Sequence, residues 1–309
     1  MIGGGYNLSV SAPTERKTAT WALLALLIGA TGIAFAPIFV KKCFIGPSAK
    51  GFWRVLLALP LLLAFTAAWG RPGRRRAGRP RPSRWWLLLP GVFFTGDLAI
   101  WHWSLEFTTA GNATLLTNFA PIFVSLVAWL WLGERFGGVF VVGLGAALIG
   151  AAVVMLESLD VGREHLIGDA LALLTAVFYG AYQLSVKRLR DHYSAPVIMT
   201  WAAGVSSVLF LTVSLLSRET LLPSGPAGWW MLVGLAVVSH ILGQGSIAWA
   251  LGHLPAGFSS VSLLWQPVCA ALLGWWLLKE DYGGLQLAGG AIVLIGIYLA
   301  RRGSGVERS

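Results

Sequence analysis

Apolar runs of about twenty residues, the length that spans a hydrocarbon core, recur ten times along the 309-residue chain. They occupy 18–40, 49–69, 85–105, 111–132, 137–156, 168–187, 196–216, 228–251, 257–278 and 283–301. The separators carry Pro, Gly or charge: Gly46-Pro47, the arginine-rich 71–84 stretch, 157–164, 188–192 and Pro223–Pro226. Hydrocarbon offers a backbone amide no outside partner, so each run must be a helix. The expected fold is all-α and membrane-integral, with ten transmembrane helices.

Composition fits that solvent. Hydrophobic residues make up 56% and charged residues 12%, where soluble domains carry about 25% charge; the mean hydropathy is +0.72. The net charge of +10 would suggest nucleic acid in a soluble protein. Here the basic residues fall in short loops, where they orient helices, and no nucleic-acid partner is expected. With the N-terminus cytoplasmic, Arg16, Lys17, the seven arginines of 71–84, Arg135, Lys187, Arg188, Arg190, Arg301, Arg302 and Arg308 face inward. Lys41, Lys42, Lys50, Arg163, Arg218 and Lys279 face outward. Sixteen cations against six place both termini in the cytoplasm of a multi-pass inner-membrane protein. No cleavable signal peptide is expected, because the first run is long enough to stay as a helix. Cys43 and Cys269 form no disulfide framework and no metal-ligand spacing.

The chain also repeats itself. A shift of 146 residues superimposes 111–150 on 257–296 without a gap, with 12 of the 40 positions identical. Pro121 falls on Pro267, Trp129 on Trp275, Glu134 on Glu280, Gly143 on Gly289 and Gly150 on Gly296. The same shift pairs Lys41 with Lys187 and Ala110 with Ala256. The halves are 18–157 and 165–302, between cytoplasmic tails 1–17 and 303–309. Each holds an odd number of helices, so the second enters the membrane from the opposite side. Inverted repeats of this kind are a mark of secondary transporters, with the site near the midplane between the halves.

Trp103-Ser104-Leu105, Ala110-Gly111, Pro121, Leu132-Gly133-Glu134-Arg135, Gly143 and Gly150 resemble the EamA-type module of the drug/metabolite transporter superfamily. Trp249-Ala250-Leu251, Ala256-Gly257, Pro267, Leu278-Lys279-Glu280, Gly289 and Gly296 repeat the pattern. Arg54 resembles an arginine often found early in the second helix of that family; its mate under the shift, Thr200, departs from it. The resemblance covers nearly the whole chain and implies an exporter of amino acids or related metabolites.

Ionisable groups in mid-bilayer cost at least ~2.5–3.5 kcal/mol and usually face a cavity or a partner. Asp97, midway along the third run, is a candidate amine anchor or proton-titrating carboxylate; the alternative is a buried acid that orders the bundle. His240 and Gln244 stand one helical turn apart in the eighth run and are expected to share a face. Trp101 is a candidate cavity wall. Tyr179, Tyr182 and Gln183 form a stripe in the sixth run. Ser262 and Gln266 do so with Ser259 in the ninth, and Asn118 lies with Thr114 and Thr117 ahead of Pro121. Small polar residues also glue membrane helices together, the alternative for each set. Pro121 and Pro267 each free a carbonyl one turn earlier and are candidate hinges. Glu134 and Glu280 are read as structural, each favouring the N-terminus of the helix that follows it. The sixteen tryptophans and fifteen phenylalanines suit aromatic cargo or membrane interfaces alike. Catalytic patterns, cofactor motifs and a nucleotide-binding glycine loop are absent from the sequence.

The expected function is therefore secondary transport of a small amphipathic solute, with protons a candidate coupling ion and a monomer sufficient. The alternatives are a drug or cation efflux pump using Asp97, and, from another class, a membrane-embedded lipid enzyme or scaffold.

Overall fold

The structure is a computed structural model. It describes residues 12–70, 82–104, 106–108, 110–156, 162, 165–278 and 283–304. Both distal tails, most of the 71–84 stretch and Glu280 lie outside the described residues.

Ten helices run in chain order among the described residues. Nine are long and apolar enough to cross a membrane: α1 (Lys17–Lys41), α2 (Pro47–Trp69), α4 (Asn112–Trp131), α5 (Gly138–Met155), α6 (Leu166–Leu189), α7 (Ala195–Leu216), α8 (Pro226–Leu251), α9 (Ala256–Leu277) and α10 (Gly284–Gly303). The remaining one, α3, is α-helical only over Leu89–Ser104; a 3-10 turn at Arg84–Leu88 leads into it.

Four helices are broken ahead of a proline. Pro37, Pro60, Pro121 and Pro267 each stand in the first turn of a second segment, where a missing N–H costs least. Within α8, Leu235–Gln244 is wound as a π-helix, a form concentrated at functional sites.

Packing follows the repeat. Each helix of one half touches helices of the other: α1 meets α8, its symmetry equivalent α6 meets α3, and α2, α4 and α5 pair with their own mates α7, α9 and α10. The α5–α10 seam is backbone against backbone. A Cβ added to Gly150 would lie 2.6 Å from the Val293 amide nitrogen and 2.8 Å from the Gly289 carbonyl oxygen. One added to Gly289 would lie 2.9 Å from the Gly150 oxygen. Small residues allow such approach where lipid supplies no hydrophobic drive between helices.

Most tryptophans point outward. Trp21, Trp69, Trp85, Trp131 and Trp230 are each more than 60% exposed and sit near helix ends, the position of an aromatic belt.

Candidate functional site

A cavity of about 230 Å³ lies between the two halves. Its walls come from α1, α3, α4, α6, α8 and α9, as the polar pattern suggests, and also from α2, which the pattern did not single out. Lining residues on α1 to α4 are confined to the halves of those helices that lie away from the chain termini: Val40, Lys50, Arg54, Trp101 and Thr114 mark that side. On α6, α8 and α9 the lining extends to Gln183, Gln244 and Ser260.

The structure brings together Asp97, Trp101, Asn118, Tyr179, Gln183, Gln244 and Gln266, with both Pro121 and Pro267. Gln266 Nε2 donates to the Tyr179 hydroxyl at 3.3 Å, joining α9 to α6 across the cavity wall. Asn118 is turned toward Met155, with Nδ2 3.8 Å from its sulfur. Three candidates sit behind the wall instead. The Tyr182 hydroxyl donates to Met199 Sδ at 3.6 Å, and its ring packs on Phe94. The Ser262 hydroxyl returns to the Phe258 carbonyl of its own helix at 2.9 Å. His240 packs against Phe94 at 5.4 Å between ring centroids, and neither ring nitrogen has a partner.

His240 and Gln244 thus diverge, although four residues apart. In an α-helix they would share a face. Gln244 lines the cavity while His240 lies one layer back against Phe94.

Arg54 is the residue that sequence reasoning undervalued. It is 5% exposed and lines the cavity. Its guanidinium lies 5.3 Å over the Phe94 ring, and Nη2 donates to the Ser239 carbonyl at 3.5 Å. Its Nε has no partner. Asp97, 6% exposed on α3, is close enough to interact with it through charge. Gln183 Oε1 and Gln244 Oε1 are likewise buried without a partner. The sequence signal was available: an arginine two turns inside an apolar run is too deep to be only an anchor.

On the termini side the halves are tied together. Helix α4 ends at Gly133, whose φ of +72° is the left-handed conformation that favours glycine. The next residue, Glu134, accepts hydrogen bonds from the Ala256 and Gly257 amides at 2.6 and 3.1 Å. A helix N-terminus is therefore the partner, as expected, but it belongs to α9 of the other half rather than to the following helix α5. Within the second half, Lys187 Nζ donates to the Leu254 carbonyl at 2.6 Å, and Arg190 Nε to the Ala248 carbonyl at 3.1 Å. Phe136 and Phe140 stack at 4.1 Å beside them. The opposite side holds contacts of its own: Ala49 N–H donates to Glu219 at 2.9 Å and the Thr108 hydroxyl to Asp169 at 2.6 Å.

Residues 20–156 and 166–302 each match the model of the EamA-like transporter family. An uncharacterised transporter of Archaeoglobus fulgidus is 28% identical over 91% of this chain and 98% of its own length. A probable terminal-alkyne amino-acid exporter of Streptantibioticus cattleyicolor is 27% identical over 92% of this chain and 93% of its own. A probable amino-acid metabolite efflux pump of Escherichia coli is 25% identical over 62% and 67%. One solved crystal structure superposes with a TM-score of 0.75 at 18% identity, covering 92% of this chain and 98% of that one. That last likeness concerns the fold.

Proposed function

We propose that this chain, which belongs to the EamA-like transporter family, exports small amphipathic metabolites of the amino-acid class by alternating access between its inverted repeats. Membership makes it a multi-pass membrane transporter and not an enzyme, which sets aside the lipid-enzyme reading. The observation that carries the finer reading is the one-sided cavity. It sits between the halves, its α1–α4 lining lies on one side of the bundle, and on the other side Glu134 of the first half binds the start of α9 in the second. Two similar halves of opposite orientation supply the mirror-image state. The positive-inside count puts the termini in the cytoplasm of the inner membrane. On that orientation the cavity opens outward here, the state an exporter reaches when it releases cargo.

Names of relatives support the amino-acid class and the direction. At about 230 Å³ the cavity is smaller than the about 300–1,000 Å³ of drug-sized sites, which suits a smaller solute. A pump for simple cations built on Asp97 is disfavoured because Arg54 lines the same cavity and repels a cargo that carries positive charge alone. Protons remain the coupling ion of choice, with Asp97 the group to carry them.

Everted membrane vesicles test the reading. Uptake of labelled amino acids above that of vesicles lacking the protein supports it. Absence of amino-acid flux in either direction, with robust flux of an organic cation, refutes it. A cysteine added to the C-terminal tail should react with impermeant maleimide only from the cytoplasmic side.

A further inference from the structure

The cavity's polar atoms have a composition that its apolar walls do not explain. Buried polar groups in native proteins nearly always have a partner, yet Arg54 Nε, Gln183 Oε1 and Gln244 Oε1 have none. All three side chains are more than nine-tenths buried and line one cavity. Asp97 lines it as well. Sorted by chemistry, the unpartnered guanidinium edge is a donor. The two amide oxygens and the Asp97 carboxylate are three acceptors.

We infer that the cavity reads a zwitterion at two points: a carboxylate of the cargo lies against Arg54, and its ammonium lies among Asp97, Gln183 and Gln244. This rests on the transporter reading above and names the charge pattern of its cargo. A carboxylate offers planar acceptors to a guanidinium edge. An ammonium has three N–H donors and no acceptor, which matches three oxygens. Phe94 and the Ser239 carbonyl hold the guanidinium from its other side and keep its Nε available.

Charge balance points the same way. Arg54 and Asp97, the charged side chains buried in the wall, are together neutral, while Lys50 is only half-buried at the outer side with the charge of Glu219 near it, so a zwitterion leaves the buried site neutral. A cargo carrying only an ammonium brings a cation beside Arg54 with nothing to offset it. A cargo carrying only a carboxylate does the same to Asp97. Uncompensated charge in a low-dielectric site is the costliest outcome.

The pseudo-symmetry gives the site an orientation. Both charges come from the first repeat, on α2 and α3, and their mates under the 146-residue shift are the neutral Thr200 and Gly243. The second repeat supplies the amides and the apolar Leu235, Leu263 and Leu264. The charged end of the cargo therefore faces the first repeat, and its side chain lies on the second.

The test uses purified full-length protein in detergent and two compound triplets, read by thermal shift. Each triplet is a zwitterion with its two single-charge analogues: phenylalanine, phenethylamine and 3-phenylpropionate; leucine, isopentylamine and 4-methylpentanoate. Loss of one partner of a buried charge pair weakens binding by at least about 30-fold. At least one zwitterion should stabilise the protein, with both its analogues weaker by that factor. Arg54→Gln should narrow the gap between zwitterion and amine. Asp97→Asn should narrow the gap between zwitterion and acid. A merely structural role would depress all three compounds alike. The inference is overturned if amine or acid binds as well as the parent amino acid, or if neither zwitterion binds. Proteoliposome flux of a singly charged or uncharged solute by a protein that binds no zwitterion would sink this inference while leaving the transporter reading intact. Wild-type ligand ranking decides the matter even if a variant fails to fold.

Discussion

Replacing Glu134 by alanine should release the termini side of the bundle. The carboxylate accepts two backbone hydrogen bonds from the first turn of α9, at 2.6 and 3.1 Å. Bonds to a charged group contribute about 1.5–3 kcal/mol each. Glu134 is only half-buried, so the lower end applies, and the pair stabilises the tied arrangement by about 3 kcal/mol. That is on the order of 100-fold in the equilibrium between a sealed and an open termini side. Glutamine keeps one oxygen acceptor without the charge, so Glu134→Gln should shift the same equilibrium by about 30-fold. The assay begins from a background with Cys43 and Cys269, both buried, replaced by serine. A reporter cysteine goes in place of Leu254, which is 1% exposed behind the tie. Its reaction rate with a small thiol reagent measures opening. Alanine should accelerate labelling most and glutamine less. Equal labelling rates in all three proteins, each with an unchanged melting temperature, would refute the claim that this carboxylate holds the halves together.

Other outcomes follow from the same geometry. Pro121→Ala or Pro267→Ala restores a backbone donor at a helix break; turnover should fall several-fold while KM stays near the wild-type value, in a reconstituted flux assay. Gly150→Val forces a side chain where a Cβ already meets Val293 and Gly289 backbone; overpacking of this kind costs about 1–3 kcal/mol, visible as a lower melting temperature in detergent. Glu219→Gln weakens the bond to the Ala49 amide at the start of α2, with an expected loss of about 1 kcal/mol in the same melting assay and little change in substrate ranking. If Asp97 carries the coupling proton, Asp97→Asn should remove the pH-gradient dependence of flux, and unchanged dependence would exclude it.

Much of the fold was legible because the bilayer makes the rules strict. Ten apolar runs became ten helices, and the constant shift through Pro121, Trp129, Glu134 and Gly150 revealed the repeat. Which helices meet across the halves was visible only in the fold. What escaped reading depended on departures from regular helix or on partners distant in sequence. The π-helical winding of Leu235–Gln244 left no mark in the hydrophobic pattern, and His240 and Gln244 went to different neighbours. Tyr182 and Gln183, adjacent in one stripe, went to different neighbours because one reaches Met199 and the other the cavity. Glu134 could be recognised as a helix-terminus ligand, but only the fold reveals that the helix lies 122 residues away. Arg54 was noticed as a motif position, and its role in the wall needed the approach of α2 to α3 and α8.

The α5–α10 seam has an ancestry written in its contacts. Gly150 meets Gly289, and applying the 146-residue shift to that pair returns Gly143 and Gly296, which also meet, with a Cβ on Gly143 falling 2.7 Å from the Gly296 oxygen. The same contact is therefore made twice about a two-fold axis, the arrangement of an isologous dimer. A single-repeat forebear, inserted in both orientations, would already have possessed this interface before any gene duplication fused its copies. Within one fused chain the copies need not match elsewhere, and one half carries Arg54 and Asp97 where its twin carries Thr200 and Gly243.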